Sequence, residues 1–385
     1  MKSNYDILGN HIRLIDTRNR ESITDRVLGI NIDKFFMPSV ANVIGTDLSK
    51  YKLITKGKFA CNPMHVGRDE RLPVALYDEE EPAIVSPAYF MFEVVDNSIL
   101  NEDYLMMWFR RQEFDRICWL HTDGSVRGGI TWDDICRLEL PIPPIEKQLE
   151  IVNSYKAITE RIALKQKIND NLANTEQLIL YQAISKNQTI PLSLNEIAEF
   201  IDGDRGKNYP TFDEFSTSGF CLFLNASNVT SSGFNFDSCM FVTEEKDKIM
   251  RNGHLLLNDI VFTSRGTLGN VALYDKNIKY KNVRINSGML IIRPKGINLS
   301  PYFIYALLKS NYMKSAIEQF RSGSAQPQLP IKDLQNITFD IPESQNVLDD
   351  LEHRFFEIEE TISINKREIG NLSELASILL ARLSR

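Results

Sequence analysis

The pentapeptide Val74-Ala75-Leu76-Tyr77-Asp78 recurs unchanged as Val271-Ala272-Leu273-Tyr274-Asp275, 271 − 74 = 197 positions later. A repeat of that period constrains the fold more than composition does, because each copy must then build the same unit. Flanking matches argue against accident. Leu8 to Asp16 (LGNHIRLID) resembles Leu194 to Asp202 (LNEIAEFID), and Arg68 falls opposite Arg265. Gly124 to Pro143 (GSVRGGITWDDICRLELPIP) runs beside Gly323 to Pro342 (GSAQPQLPIKDLQNITFDIP) at a constant 323 − 124 = 199. The 385 residues are therefore read as two diverged copies of one unit, long enough for each copy to bury a core of its own.

Within each copy, β-branched and aromatic runs bounded by Gly, Asn and Asp read as strands, among them Ile260 to Ser264, Gly269 to Tyr274 and Met289 to Arg293. Helical spacing appears at Asp103 to Phe114 and at Pro301 to Gln319. The mixture has no strict βαβ alternation, so the expected class is α+β. Each copy closes in a proline-bounded extended segment, Leu140-Pro141-Ile142-Pro143-Pro144 and Phe339-Asp340-Ile341-Pro342, where proline disfavours helix before it.

A long heptad pattern follows each exit. From Leu348 the positions step by three and four through Leu351, Phe355, Ile358, Ile362, Asn365, Ile369, Leu372, Ala376, Leu379 and Leu383. In the first copy Ile151, Tyr155, Ile158, Ile162, Lys165, Asn169, Leu172, Glu176, Ile179 and Ala183 keep the same register. Two matching seams in one chain most economically bury each other, as an antiparallel coiled coil; the alternative is that each helix packs on its own globule. Lys165, Asn169 and Asn365 on the seam either fix its register or face solvent or a partner helix. The expected layout is a globular domain over residues 1–143, a long helix over 144–187, a second domain over 188–342 and a second helix over 343–385.

The net charge is −7, with 22 acidic against 17 basic residues over positions 1–143 and 9 against 5 over 343–385. Sequence-independent binding to nucleic acid needs positive charge near phosphates. Any such role therefore rests on a local patch, of which Lys276, Lys279, Lys281 and Arg284 offer one, and on another subunit supplying part of the grip. The five cysteines include no CxxC pair and fit reduced, mostly buried thiols better than a zinc site. Neither a signal peptide nor an 18-residue apolar run is legible, so the expected compartment is the cytoplasm and no membrane is involved.

Catalytic constellations are missing from the sequence. No GxxxxGK[ST], GxGxxG after a strand, HExxH or GxSxG occurs. Asn62-Pro63-Met64-His65 is similar to the Asn-Pro-Pro-Tyr motif of amino-methyltransferases but departs at its third and fourth positions. Glu244 and Lys246 have the spacing of some nuclease sites, within a charged run that usually forms a solvated helix or turn. The chain is expected to be non-catalytic, with no cofactor and no metal of its own.

Two diverged repeats, each closing with a Gly-Ser-containing segment, an Ile-Pro exit and a long helix, resemble the DNA-specificity subunits of Type I restriction-modification systems. The resemblance covers the whole chain. It is carried best by Ser264-Arg265-Gly266-Thr267-Leu268-Gly269-Asn270-Val271-Ala272, by Gly323 to Pro330, and by the helix start Pro143-Pro144-Ile145-Glu146-Lys147-Gln148. The first copy departs from the first two, with Arg68-Asp69-Glu70-Arg71 and Arg127-Gly128-Gly129 in their places, and the second exit keeps the helix-start motif only loosely. The resemblance implies two target recognition domains that read a split sequence in double-stranded DNA. It also implies paired helices that act as ruler and dock for two modification (methyltransferase) subunits, and a restriction (motor-nuclease) subunit as a further partner.

Base readout needs forked donors, amides and hydroxyls on groove-facing loops, while phosphate contacts need Lys, Arg and backbone amides. In the second copy these are Arg265, Gly266 and Thr267, then Ser324, Gln326 and Gln328, then Arg205, Lys207 and Asn208. Arg265 is open to an ion-pair role and the glutamines to capping strands. In the first copy the candidates are Arg18, Arg20, Arg68, Ser125 and Arg127. Lys279 is either a phosphate contact or part of a solvated hairpin edge. Two other readings fit the residues: a free-standing two-headed DNA-binding regulator, and a coiled-coil scaffold whose globules bind protein.

Overall fold

The computed structural model describes residues 5–64, 66–122, 128–296, 299–320 and 329–383. The chain divides into two compact units, Met1–Ala163 with Gly370–Arg385 (unit 1) and Leu164–Ile369 (unit 2). Each is a mixture of helix and antiparallel-rich sheet, the α+β class expected.

The duplication is visible strand by strand. In unit 1 a four-stranded sheet has the order Ile12–Leu14, Phe90–Val94, Lys58–Cys61, Val74–Tyr77. In unit 2 the corresponding order is Ala198–Asp202, Met289–Pro294, Ile260–Thr263, Val271–Leu273. The registers agree as well: Phe59 pairs with Phe92 and Leu76, and Ile260 pairs with Ile292 and Leu273. The repeated pentapeptide forms the last strand of each sheet and leads out of it.

A second sheet also repeats. Val27–Ile30 lies between an antiparallel neighbour, Phe36–Pro38, and a parallel one, Ala83–Val85. In unit 2 Cys221–Leu224 lies between antiparallel Phe241–Val242 and parallel Val283–Ile285. A short ladder closes each unit, joining Tyr5–Ile7 to Glu139–Pro141 and Thr189–Ser193 to Thr338–Pro342. The proline-bounded exits are therefore strands, and proline is tolerated there because each ladder has only two strands.

One expectation changes in detail. Each stretch read as a single helix, Asp103 to Phe114 and Pro301 to Gln319, is two. Glu102–Phe109 is followed by Gln112–Leu120, and Pro301–Lys309 by Asn311–Phe320. The breaks fall at Arg111, with ψ 142°, and at Ser310, with ψ 155°. The Ser310 hydroxyl accepts from the Met313 amide at 3.1 Å, so the chain restarts on a cap of its own. The apolar period runs through both breaks, which is why the sequence pattern does not reveal them.

The long helices are Ile145–Lys186 and Gln345–Arg382. None of the heptad positions named above is exposed. Inside unit 2 the two helices pair antiparallel. Lys165 meets Glu368 at 2.8 Å, Asn365 donates to Asn169 at 2.8 Å, and further along Leu180 shares a core with Leu351 and Phe355. Lys165 also donates to the Asn365 side chain at 2.8 Å, so the polar seam residues bond one another. Inside unit 1, Val152, Tyr155 and Ile158 pack in one core with Ala376, Leu380 and Leu383.

Each unit meets its helices differently. In unit 1 the fully buried Gln148 donates to the carbonyls of Ile99 at 2.8 Å and Pro143 at 2.7 Å, and accepts from the Asn101 amide at 2.9 Å. In unit 2 the junction is ionic: Lys309 pairs with Glu359 and lies 2.5 Å from fully buried Glu176. Burial pushes the Glu176 carboxyl up to about 8, opposed by Lys309 and reinforced by Glu359.

Candidate nucleic-acid interface

In unit 2, Asp202 pairs with Leu290, Thr263 with Met289 and Phe262 with Val271. Those registers bring three turns, residues 203–208, 264–270 and 286–288, to one end of the four-stranded sheet. The turns are tied to each other there. Ser264 donates from its amide at 3.0 Å and its hydroxyl at 3.1 Å to the Gly288 carbonyl, and Arg205 donates to the Ser287 carbonyl at 3.2 Å. A Cβ on Gly203 would overlap the Asn286 carbonyl oxygen, so the first and third turns pack backbone against backbone.

The middle turn is built by Thr263. Its hydroxyl donates to the Thr267 carbonyl and accepts from the Asn270 amide at 2.9 Å, and its carbonyl accepts from Gly269 at 2.9 Å. This lifts Arg265, Gly266 and Thr267 into solvent, with Gly266 at φ +74° in open space. Arg265 has no ion pair or hydrogen-bond partner among the described residues, so the ion-pair alternative has no support there. The chain re-enters beside this turn at Leu329, whose amide donates to the Ser264 carbonyl at 3.4 Å. Ser324, Gln326 and Gln328 lie outside the described residues.

The first turn exposes more cation. Asp204 is taken up internally, accepting from the Gly206 and Arg251 amides, both at 2.8 Å, and these bonds hold its carboxyl below the usual range. That leaves Arg205, Lys207 and Arg251 exposed. Arg205 retains an ion pair to Asp202 at 3.0 Å, while Lys207 and the Arg251 side chain have no partner among the described residues. Asn208 is half-buried and donates to the Ile249 carbonyl at 2.9 Å. Arg251 is the candidate that sequence reasoning missed: it is far along the chain from the first turn, and contacts across it, among them the bonds to Asp204 and from Asn208 to Ile249, bring it there.

The basic string of the sequence is dispersed. Arg284 is a correction, being buried and paired with Asp247 while also donating to the Asn252 carbonyl at 2.8 Å. It braces the second sheet and presents no charge to solvent. Lys276, Lys279 and Lys281 sit at the opposite end of the Val271–Leu273 strand from Arg265. Lys276 reaches Glu360 at 3.2 Å, and the Lys279 ammonium lies 4.9 Å from the Tyr280 ring centre.

Unit 1 has the same end-of-sheet arrangement. Its turns follow Leu14, Cys61 and Val85, and the Ile130 amide donates to the Pro63 carbonyl at 3.1 Å, as Leu329 does to Ser264. Its cations are more fully paired. Arg18 is half-buried, contacts Asp16 at 2.6 Å and donates to the Lys50 carbonyl at 2.7 Å. Arg68 forks onto its neighbour Asp69 at 2.6 and 2.9 Å, and Arg71 meets Asp33 at 2.8 Å. Arg20 is exposed with no partner among the described residues. Ser125, Arg127 and His65 lie outside the described residues.

Cys61, Cys118 and Cys221 are buried free thiols, pushed above their ordinary range chiefly by burial. No cluster of three or more metal-capable side chains forms, and no helix is long and apolar enough to cross a membrane, among the described residues.

Residues 191–369 match the family model described as the Type I restriction modification DNA specificity domain. A search of curated proteins returns no match. Among solved structures, the Type-I restriction-modification system S subunit from M. genitalium aligns over 99% of this chain and 96% of its own, at 18% identity and a TM-score of 0.62. The HsdS subunit from Thermoanaerobacter tengcongensis aligns over 98% of this chain and 95% of its own, at 15% identity and a TM-score of 0.36.

Proposed function

We propose that both units of this chain read DNA, one for each half of a bipartite target; the match of residues 191–369 to the Type I restriction modification DNA specificity domain supports the reading. The observation that carries the reading is the repeated sheet end. Each unit gathers three turns there, and in unit 2 Arg265, Lys207 and Arg251 stand exposed without acidic partners among the described residues. Free cations on a rigid turn are what phosphate contact and guanine readout require. They also reconcile DNA binding with a net charge of −7, since a local patch and not the total meets the phosphates.

In this reading Arg265, Gly266 and Thr267, with Ser324, Gln326 and Gln328, approach base edges of one half-site, while Arg205, Lys207 and Arg251 hold its phosphates. Asn208, its amide already committed, supports the turn. Arg20 with Arg18, Arg68, Ser125 and Arg127 serve the other half-site. Lys279 touches a phosphate only at the flank of the site, since it lies at the far end of its strand.

The chain itself is non-catalytic, cytoplasmic and free of cofactor, and chemistry comes from two adenine methyltransferase subunits and a restriction subunit that dock on it. The long helix in unit 2 supports docking, because Leu164, Ile168, Leu178 and Tyr181 are exposed along one arc of it. Arg265→Ala, assayed in the assembled methyltransferase, is expected to cost about 1–3 kcal/mol and relax one base position in one half-site only. Equal weakening on every sequence would make Arg265 a phosphate contact and remove it from base readout.

A further inference from the structure

Phe212 is 88% exposed, yet the segment that carries it is held on both sides. It opens a short 3-10 turn, Phe212–Glu214, on the segment between the 203–208 turn and the Cys221–Leu224 strand. Three residues to either side, Tyr209 and Phe215 are half-buried and pack on the same core ring, Phe223, with centroids 5.6 and 5.4 Å away. Glu214 closes the turn from within, accepting from the Thr211 amide at 2.9 Å. From outside, Lys246 grips both of its oxygens at 2.9 and 2.7 Å. The following Ser216 exchanges backbone bonds with Phe241 at 3.0 and 2.9 Å.

A single exposed aromatic is common on soluble proteins and by itself needs no explanation. Here the mount and the neighbours set it apart. The two rings flanking Phe212 are seated on the core, the turn is locked by a capping box and an ion pair, and the crest continues from the segment carrying Arg205 and Lys207. A firmly mounted apolar ring on the same segment as the unpaired Lys207 fits the combination used to part stacked bases while neighbouring charges hold the backbone. In unit 1 the equivalent segment, between Leu14 and Val27, carries Arg18 and Arg20 and then exposed Ile23, an apolar residue in the same order after two cations.

We propose that Phe212 is an apolar wedge that stacks into a base step of the half-site read by unit 2. The inference rests on the DNA-reading function above. It adds a contact that reads deformability, so specificity would favour a pyrimidine–purine step that unstacks easily at that position.

The test uses the full chain assembled with its cognate methyltransferase subunits, and duplexes selected by the wild-type assembly from a random pool. Each purine of the selected half-sites is replaced in turn by 2-aminopurine, whose fluorescence rises on unstacking. Phe212→Ala, Phe212→Trp and wild type are compared after thermal melts show equal folding, as expected for a side chain so exposed. The inference predicts one step where wild type and Phe212→Trp raise fluorescence and Phe212→Ala does not. It also predicts about a 10-fold weaker Phe212→Ala complex at unchanged salt slope. Equal fluorescence and affinity for Phe212→Ala and wild type would overturn the wedge, leaving DNA reading intact. Loss of methyltransferase from the Phe212→Ala assembly, with DNA affinity retained, would also overturn it and make the ring a protein contact. If the wild-type assembly selects no motif, the DNA-reading function fails first and takes the wedge with it.

Discussion

The two units share sheet order, strand register and exit, yet they solve two problems differently. At the sheet end, unit 1 neutralises Arg18, Arg68 and Arg71 on Asp16, Asp69 and Asp33, whereas unit 2 leaves Arg265, Lys207 and Arg251 unpaired among the described residues. At the helix junction, unit 1 uses one buried amide, Gln148, whereas unit 2 buries Lys309 between Glu176 and Glu359. The two copies therefore keep one framework and differ at its surface. The framework is held by cross-strand packing that tolerates few changes, and the turns are free to specialise.

The widest gap between the units should appear at the junction. Lys309→Met leaves Glu359 and the raised Glu176 carboxyl buried without their cation, and about 3–5 kcal/mol of destabilisation is expected in urea unfolding. Arg110, the unit 1 counterpart just after Glu102–Phe109, borders an open pocket of about 320 Å³, and Arg110→Met should change stability by less than about 0.5 kcal/mol. Similar losses for both would erase the contrast.

Next in size is the latch. Gln148→Leu, which places in unit 1 the residue type that unit 2 has at Leu348, strands the Asn101 amide and the Ile99 and Pro143 carbonyls and should cost about 2 kcal/mol, localised by hydrogen exchange to the start of the Ile145–Lys186 helix. A neutral result would show the two junctions to be interchangeable.

The sheet ends should separate by salt dependence. Lys207→Ala and Arg251→Ala should each lower the slope of log affinity against log salt by about one, while Arg68→Ala, whose charge is already paired, should lower it by clearly less. A full unit for Arg68 would mean that its pairing with Asp69 opens on DNA.

The last contrast concerns pH. The Glu176 carboxyl is raised from 4.5 to about 8, so between those values the folded chain binds more protons than the unfolded one and stability falls as pH rises. The Lys309 ammonium is raised above its ordinary range, so its contribution is complete throughout that window and lost only at higher pH. Glu176→Gln should flatten the melting temperature between about pH 5 and 8, relative to wild type. An unchanged slope would assign the pH dependence to other groups.

Much of the framework was legible in the sequence because it is periodic. The identical pentapeptide marks equivalent strands, and the heptad positions from Leu348 to Leu383 are those the helices bury. What periodicity does not carry was lost. The breaks at Arg111 and Ser310 leave the apolar spacing intact, so two helices read as one. Arg284 looked like a member of a basic patch because neighbouring lysines are exposed, but strand alternation turns it toward Asp247. Arg251 had no signal at all, since its place depends on a backbone bond to Asp204 far away in sequence. Arg265 was legible because a glycine-flanked arginine after a buried strand has few places to go but a turn.

The central claim, one half-site per unit, is tested most directly by sequencing the methylated adenines made by the assembled enzyme, first with the wild-type chain and then with Arg265→Ala. The account predicts two specified tracts separated by unspecified bases, with Arg265→Ala relaxing one tract and leaving the other intact. A single continuous motif, or relaxation spread over both tracts, would contradict it.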